Sequence, residues 1–264
     1  MKQIQIFLTL SATILLSTLA IDASDTLSGK GGTLLAQLTG FQEPLCPLGM
    51  THVPAALSFS CVDTYEASPG EDCPFIDIEN QFSTEVNIGK PECEPVSEVG
   101  KQPWSLVNRE QAAVLCARVG KRLPSAAEWY QFALGTPAAD CNVRNEQVIV
   151  GDETSLCRGA TGVINAVGNV WEWVSDDVID GVYQGRNLPK TGYVTQVDSG
   201  GVATVTSVEK TLTAEGYLWS GESGAFGVIR GGFYGSKSDA GVYTLHSETA
   251  PTFIGAAVGF RCVQ

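Results

Sequence analysis

Residues 162–177 read GVINAVGNVWEWVSDD. Two Trp, two Asn, two Gly and three acids share these sixteen residues. A stretch of this kind can be a reaction site, a metal site or an awkward piece of core. Trp171 and Trp173 flank Glu172, and large aromatic side chains anchor a backbone by the area they bury. Gly168 permits a sharp turn just before them. The acids Asp176, Asp177 and Asp180 form a run more typical of a solvated loop than of paired catalytic carboxylates.

Composition narrows the choice. The 264 residues carry 16 Lys and Arg against 29 Asp and Glu, a formal net charge of −13. An acidic surface repels nucleic acid and anionic lipid and attracts cations. The opening MKQIQIFLTLSATILLSTLA has one Lys, a short apolar run and a small-x-small ending at Thr18-Leu19-Ala20. It reads as a secretory signal peptide, short for a bilayer span of about 20 residues. The expectation is a soluble, secreted or periplasmic protein with no membrane span after signal cleavage. Residues 1–20 are the signal, and the Ser/Thr/Gly-rich 21–44 is a linker. Residues 45–264 are the folded part.

Eight cysteines in an exported chain are best read as disulfides. None forms a CxxC pair and only His52 and His246 accompany them, which argues against a structural zinc site. Proximity along the chain favours Cys46–Cys61, Cys73–Cys93 and Cys141–Cys157. That leaves Cys116 with Cys262.

Two helices are legible. Asn108 and Gln111 resemble a capping box, followed by Ala112, Val114, Leu115 and Ala117 up to Gly120. Ser125 and Glu128 form a full S-x-x-E box after Pro124, with Trp129, Phe132 and Leu134 beyond it and Gly135 as the stop. Glu128 thereby has a structural task. Residues 56–65 alternate as a strand, and 67–100 read as a long disulfide-braced loop. Short β-rich runs follow at 193–197, 202–208 and 257–262, with no internal repeat. The balance is α+β with little regular structure.

Ordinary catalytic constellations are missing: the chain has no GxSxG, HExxH, P-loop or GxGxxG. Four segments in order are more informative. They are CVDTYEAS (61–68), GKRLPSAAEWYQFA (120–133), NAVGNVWEWVSD (165–176) and VIRGGFYG…VGFRCV (228–263). The series resembles the formylglycine-generating enzyme family, also called the sulfatase-modifying factor domain, over roughly residues 46–264. The resemblance implies a single, disulfide-braced domain related to C-type lectin folds and stabilised by calcium. It also implies the pairing of Cys116 with Cys262.

By the same resemblance, calcium would be held by the Asn165 side chain and the backbone oxygens of Ala166, Gly168 and Val170. Calcium takes six to eight oxygen ligands, and carbonyls on irregular backbone can supply them. The alternative is a turn closed by Asn side-chain bonds without an ion. Glu172 is expected to bond buried amides or Arg230. A second family calcium site would begin near Asn142 and Val143, with Asp152 as a possible completion.

Family enzymes oxidise a substrate cysteine with copper(I) and two active-site thiols. Between Arg230 and Cys262 this chain has no Cys. Counted from RGG, the two positions fall on Ser236 and Gly241; counted from GFRC, the second falls on Ser238. A hydroxyl is a poor ligand for a soft ion, so no copper is expected. Iron bound by three histidines, used in another branch, needs more than two His.

Three functional readings follow. The first is a non-catalytic extracellular module binding a protein, peptide or glycan in the family groove, near Phe233, Tyr234, Ser236, Lys237, Tyr243 and His246. The second is an enzyme of changed chemistry using Ser236 or His246, or family-type oxidase activity itself. The third is a structural envelope protein.

Overall fold

Strand pairing is built around the tryptophans. In the computed structural model Trp171–Ile179 is the longest strand. Trp171 and Trp173 point into one core cluster, and Val174 and Val178 into another, as the period-2 geometry of a strand requires. The structure describes residues 45–54, 56, 58–210 and 216–264. The signal at 1–20 and the linker at 21–44 lie outside the described residues.

Cys46–Gln264 form one compact unit. Its elements are β1 (Met50–His52), β2 (Cys61–Asp63), β3 (Ser68–Pro69), α1 (Gln81–Ile88), β4 (Pro95–Val96), α2 (Arg109–Arg118) and α3 (Ala126–Ala133). Then come β5 (Trp171–Ile179), β6 (Val182–Tyr183), β7 (Arg186–Asn187), β8 (Gly192–Val197), β9 (Ala203–Ser207), β10 (Tyr217–Ser220), β11 (Ala225–Arg230), β12 (Leu245–Thr249) and β13 (Val258–Gly259). Short 3-10 turns occupy Ala138–Asp140 and Lys237–Asp239.

The main sheet runs β7-β6-β5-β11-β12-β10-β8-β9, with β13 joining β5. Among the described residues, only β10 with β12 and β13 with β5 are parallel. One face packs on α3 through Val174, Val178, Val194, Leu218, Val228 and Leu245 against Trp129 and Phe132. The other packs on α2, with Leu115 and Cys116 against Trp173, Ile229 and Phe260.

Both capping boxes form. Asn108 accepts from Gln111 N at 2.9 Å and its own N–H reaches Gln111 Oε1 at 3.0 Å. Ser125 and Glu128 do the same at 3.2 and 2.8 Å. Asp176 adds a further cap, accepting from Ala126 N at 2.6 Å. The run of acids is therefore partly built into β5 rather than left in a solvated loop, and Asp177 pairs with Arg109.

Three expectations change. The segment 67–100 is not one loop: it contains α1, capped by Asn80, and the β3–β4 pair. The polar α1 buries Ser83, Thr84 and Asn87, so it carries no apolar stripe to betray it. The strand expected over 56–65 shrinks to Cys61–Asp63, and that over 257–262 to Val258–Gly259. Beyond those residues the backbone is held by loop bonds such as Asp63 N to Cys262 O at 2.9 Å.

Four disulfides close the unit: Cys46–Cys61, Cys73–Cys93, Cys116–Cys262 and Cys141–Cys157. These are the pairs read from the sequence. Four bridges fit an oxidising compartment, and no helix among the described residues is long and apolar enough to cross a membrane.

Candidate functional site

The Asn-rich loop that leads into β5 carries three residues with positive φ: Asn165 and Asn169, both at 58°, and Gly168 at 77°. At Gly168 a Cβ would meet Asn142 O at 2.6 Å, so only glycine fits. The two asparagines then behave differently. Asn169 is fully engaged: its Nδ2 donates to Glu66 Oε1 at 2.8 Å and Ile149 O at 3.1 Å, and its Oδ1 accepts from Asn142 Nδ2 and Ile149 N, both at 2.9 Å. Asn165 Nδ2 reaches Glu66 Oε2 at 3.4 Å, but its buried Oδ1 has no hydrogen-bond partner.

An orphaned amide oxygen beside irregular backbone fits a hard cation, which takes oxygen donors of this kind. No cluster of three or more His, Cys, Asp or Glu able to hold a metal occurs among the described residues. Amide and carbonyl oxygens are donors of the kind a hard ion such as calcium takes. Around Asn142 the fit is poorer. Its Oδ1 is also orphaned, but Val143 O already accepts from Lys237 N at 2.6 Å. Asp152 is exposed and turned onto Thr154.

Glu172 does not bond Arg230. It takes three contacts from Arg261 at 2.5–2.9 Å and one from Trp129 Nε1 at 2.7 Å. Glu172 and Arg261 are both fully buried. Arg261 also donates to the carbonyls of Asp63, Thr64 and Ile164, tying the GFRC segment to β2 and the Asn loop. Arg230 instead donates to the carbonyls of Ala126, Gly201 and Val242 and lies 4.9 Å from the Trp129 ring centroid. Burial lowers its pKa to about 10. The sequence reading named buried amides or Arg230 for Glu172 and did not consider Arg261, although both arginines stand in motif segments.

Glu66, wholly buried, is pushed up to about 7 by desolvation and by Glu172, against the pull of Arg261 and the Asn169 bond. Glu128 goes the other way. Desolvation raises it, but Arg122, Ser58 and the Ser125 amide outweigh that and hold it down at about 2. A capping carboxylate locked in an ion pair is not available as an acid or base.

The expected groove residues divide between two sites. Lys237 and Tyr243 line a cleft of about 480 Å³ between the 134–139 turn, Val143–Arg144 and the 237–243 segment. Ser238 and Gly241 lie in the same wall. Ser236 is buried beside it, its Oγ accepting from Phe233 N at 2.9 Å. The neighbouring Phe233 and Tyr234 rings pack edge-on against each other.

His246 is elsewhere. It sits on the other face of the sheet between Trp171 and Trp219, with centroids 5.8 and 5.5 Å away. Burial lowers its pKa to about 4. No hydrogen bond joins Ser236 to His246, and they make no nucleophile–base pair. The sequence reading missed Arg144, Lys210 and the 134–139 turn, which reach the cleft from distant segments and carry no motif.

The buried motif residues, the four disulfides and the cleft beside the RGG segment belong to an α+β, disulfide-braced fold. Residues 145–264 match the family model described as Sulfatase-modifying factor enzyme 1-like domain.

No curated protein matches the chain. Among solved structures it is similar to the Major Tropism Determinant I1 variant, at 18% identity over 83% of this chain and 53% of that chain, with a TM-score of 0.46. Treponema denticola variable protein 1 matches at 16% identity over 84% and 92% of the two chains, TM-score 0.44. CarF matches at 14% over 81% and 95%, TM-score 0.41. The chain spans about half the length of the tropism determinant.

Proposed function

We propose that this is an exported, calcium-stabilised binding module that has lost the copper-thiolate oxidase site of its family and takes its ligand in the 480 Å³ cleft. The observation that carries the reading is the chemistry of that cleft. Its wall holds Ser238 and Gly241, with Ser236 buried behind; by the resemblance, the two thiol positions would fall on Ser236 and Gly241, or the second on Ser238. All eight cysteines of the chain are in disulfides. A volume in the range of small-ligand sites supports binding there. Asn165 Oδ1 and the carbonyls of Ala166, Gly168 and Val170 would hold the calcium, which stiffens the loop leading into β5.

A glycan and peptide array probed with the parent protein and with Ala139→Trp, which fills the cleft from an exposed position, tests the reading. A ligand retained by the parent and lost by the variant supports it. Copper(I)- and oxygen-dependent conversion of a cysteine peptide to formylglycine would overturn it, as would ligand binding that Ala139→Trp leaves unchanged.

A further inference from the structure

The cleft is charged against the trend of the molecule. The chain has 16 basic and 29 acidic residues, yet every ionisable acid-or-base side chain of the Asp/Glu/Lys/Arg kind in its lining is a cation: Arg144, Lys210 and Lys237. Arg144 and Lys237 make no ion pair with any described residue, and Lys210 donates only to Ser238 O at 3.0 Å besides lying over the Tyr193 ring. The flanking acids, Asp140 and Asp239, do not line the cleft.

A second cleft of about 490 Å³ beside α2 makes the contrast. It too is rich in cations, but Arg109 is paired with Asp177, Lys121 with Asp63 and Arg122 with Glu128. There the charge is spent on structure. In the cleft by Lys237 it is left facing solvent, and Lys237 is held with a positive φ of 54° by its bond to Val143 O. A lysine accepts such left-handed backbone only at a steric cost.

Unpaired cations attract anions, and low-dielectric walls focus that attraction. The rest of the surface, acidic as a whole, disfavours a long polyanion and selects a short ligand with few negative groups. The walls are 3-10 turns and loops, with no strand among the lining residues, so an extended peptide finds no main-chain edge to pair with. What the lining offers is a half-buried Tyr243 ring, an apolar floor from Pro137, Ala240 and Val242, and cations at the rim. An aromatic face for a ring and ammonium or guanidinium groups for a carboxylate are the complement of an acidic sugar.

We propose that this cleft binds an acidic saccharide, its carboxylate facing Arg144 and Lys237 and a sugar ring against Tyr243. The proposal rests on the reading of the cleft as the ligand site.

Calorimetric titration with uronate trisaccharides (galacturonate, glucuronate and mannuronate), their methyl esters and a triglutamate peptide tests it. We expect one uronate to bind, its uncharged methyl ester to bind at least tenfold more weakly, and affinity to fall with added salt. Arg144→Met and Lys237→Met, both at exposed positions, should each lose about tenfold with melting temperatures unchanged. Ala139→Glu, which adds a carboxylate to the rim, should abolish binding. The proposal is overturned if no uronate binds, if the esters bind as well as the acids, if triglutamate binds more tightly, or if both Met variants bind like the parent. A neutral ligand that Ala139→Trp excludes and the Met variants retain would sink the acidic-sugar assignment and leave the cleft as the ligand site. A ligand indifferent to Ala139→Trp would sink both.

Discussion

Asn165 and Asn169 share the same φ and the same buried neighbour, Glu66, yet only one of them has all its hydrogen bonds made within the protein. That difference yields a testable separation. With excess calcium, parent stability should rise by about 2–3 kcal/mol at a hundredfold excess over Kd. Asn165→Ala should remove the calcium dependence. Asn169→Ala should destabilise the protein equally with and without the ion, because it leaves Glu66 and the Ile149 backbone groups unsatisfied. Thermal melts in calcium and in chelator read both effects, and a parent melt indifferent to chelator refutes the calcium site. The motif was visible in the sequence, and so was its candidate cation. Which asparagine does which job was not, because it depends on the 145–150 segment folding back over Asn169.

Glu172 gives a second prediction at this scale. Removing one partner of a fully buried, hydrogen-bonded pair leaves the other charge uncompensated, typically at a cost of 3–5 kcal/mol. Glu172→Gln strands Arg261 in this way, although the amide keeps some acceptors, so a loss of roughly 3 kcal/mol in urea unfolding is expected. A loss below about 1 kcal/mol would mean that Arg261 is compensated by its three carbonyls alone. The sequence reading offered buried amides or Arg230 as partners of Glu172 and did not name Arg261. Alternation along β5 puts Glu172 on the face of Trp129, and only the path of the GFRC segment brings Arg261 to it.

Elements differ in how openly they announce themselves. The capped helices α2 and α3 were legible because a capping box is a local signal four residues long. Helix α1 was not, since its buried residues are polar, and the short strands were not, since two or three residues carry no period. β12 shows how pairing then decides chemistry. Its alternation turns Leu245 into the core and His246 between two tryptophans, away from the loop that sequence proximity suggested.

That position has a pH signature. His246 has a folded pKa of about 4 against an ordinary 6.5, so its contribution is fully present above pH 6.5 and is lost as pH falls toward 4. Its ceiling is about 3 kcal/mol. Glu66 acts in the opposite sense: raised to about 7 from 4.5, its contribution is present below pH 4.5 and lost as pH rises through 7. The two overlap and offset each other between pH 5 and 7. His246→Phe removes the slope that opposes Glu66, so the variant should gain stability on acidification from pH 7 to 5 relative to the parent. Denaturant midpoints at the two pH values, taken in chelator, check this. A parallel shift in both proteins would remove His246 from the account.

For the molecule as a whole, long-range ties matter more than regular structure. The motif segments at 61–68, 120–133, 165–176 and 228–263 meet in one place because Arg261, Asp63 and Glu66 bind them from different sides, while Cys116–Cys262 fastens α2 to the same assembly. In a chain-entropy description a bridge stabilises more as its loop lengthens. Cys116 and Cys262 are 146 residues apart, against 15 for Cys46 and Cys61, which gives about 5 and 3 kcal/mol respectively. Both cysteines of the long bridge are fully buried, so Cys116→Ala/Cys262→Ala carries a small cavity cost in the same direction. The double variant should therefore lose about 2 kcal/mol more than Cys46→Ala/Cys61→Ala in urea unfolding, with the cleft by Lys237 still able to bind if the protein remains folded. Equal losses would mean that the buried ion pair and the loop hydrogen bonds, rather than the long covalent tie, hold α2 against the sheet.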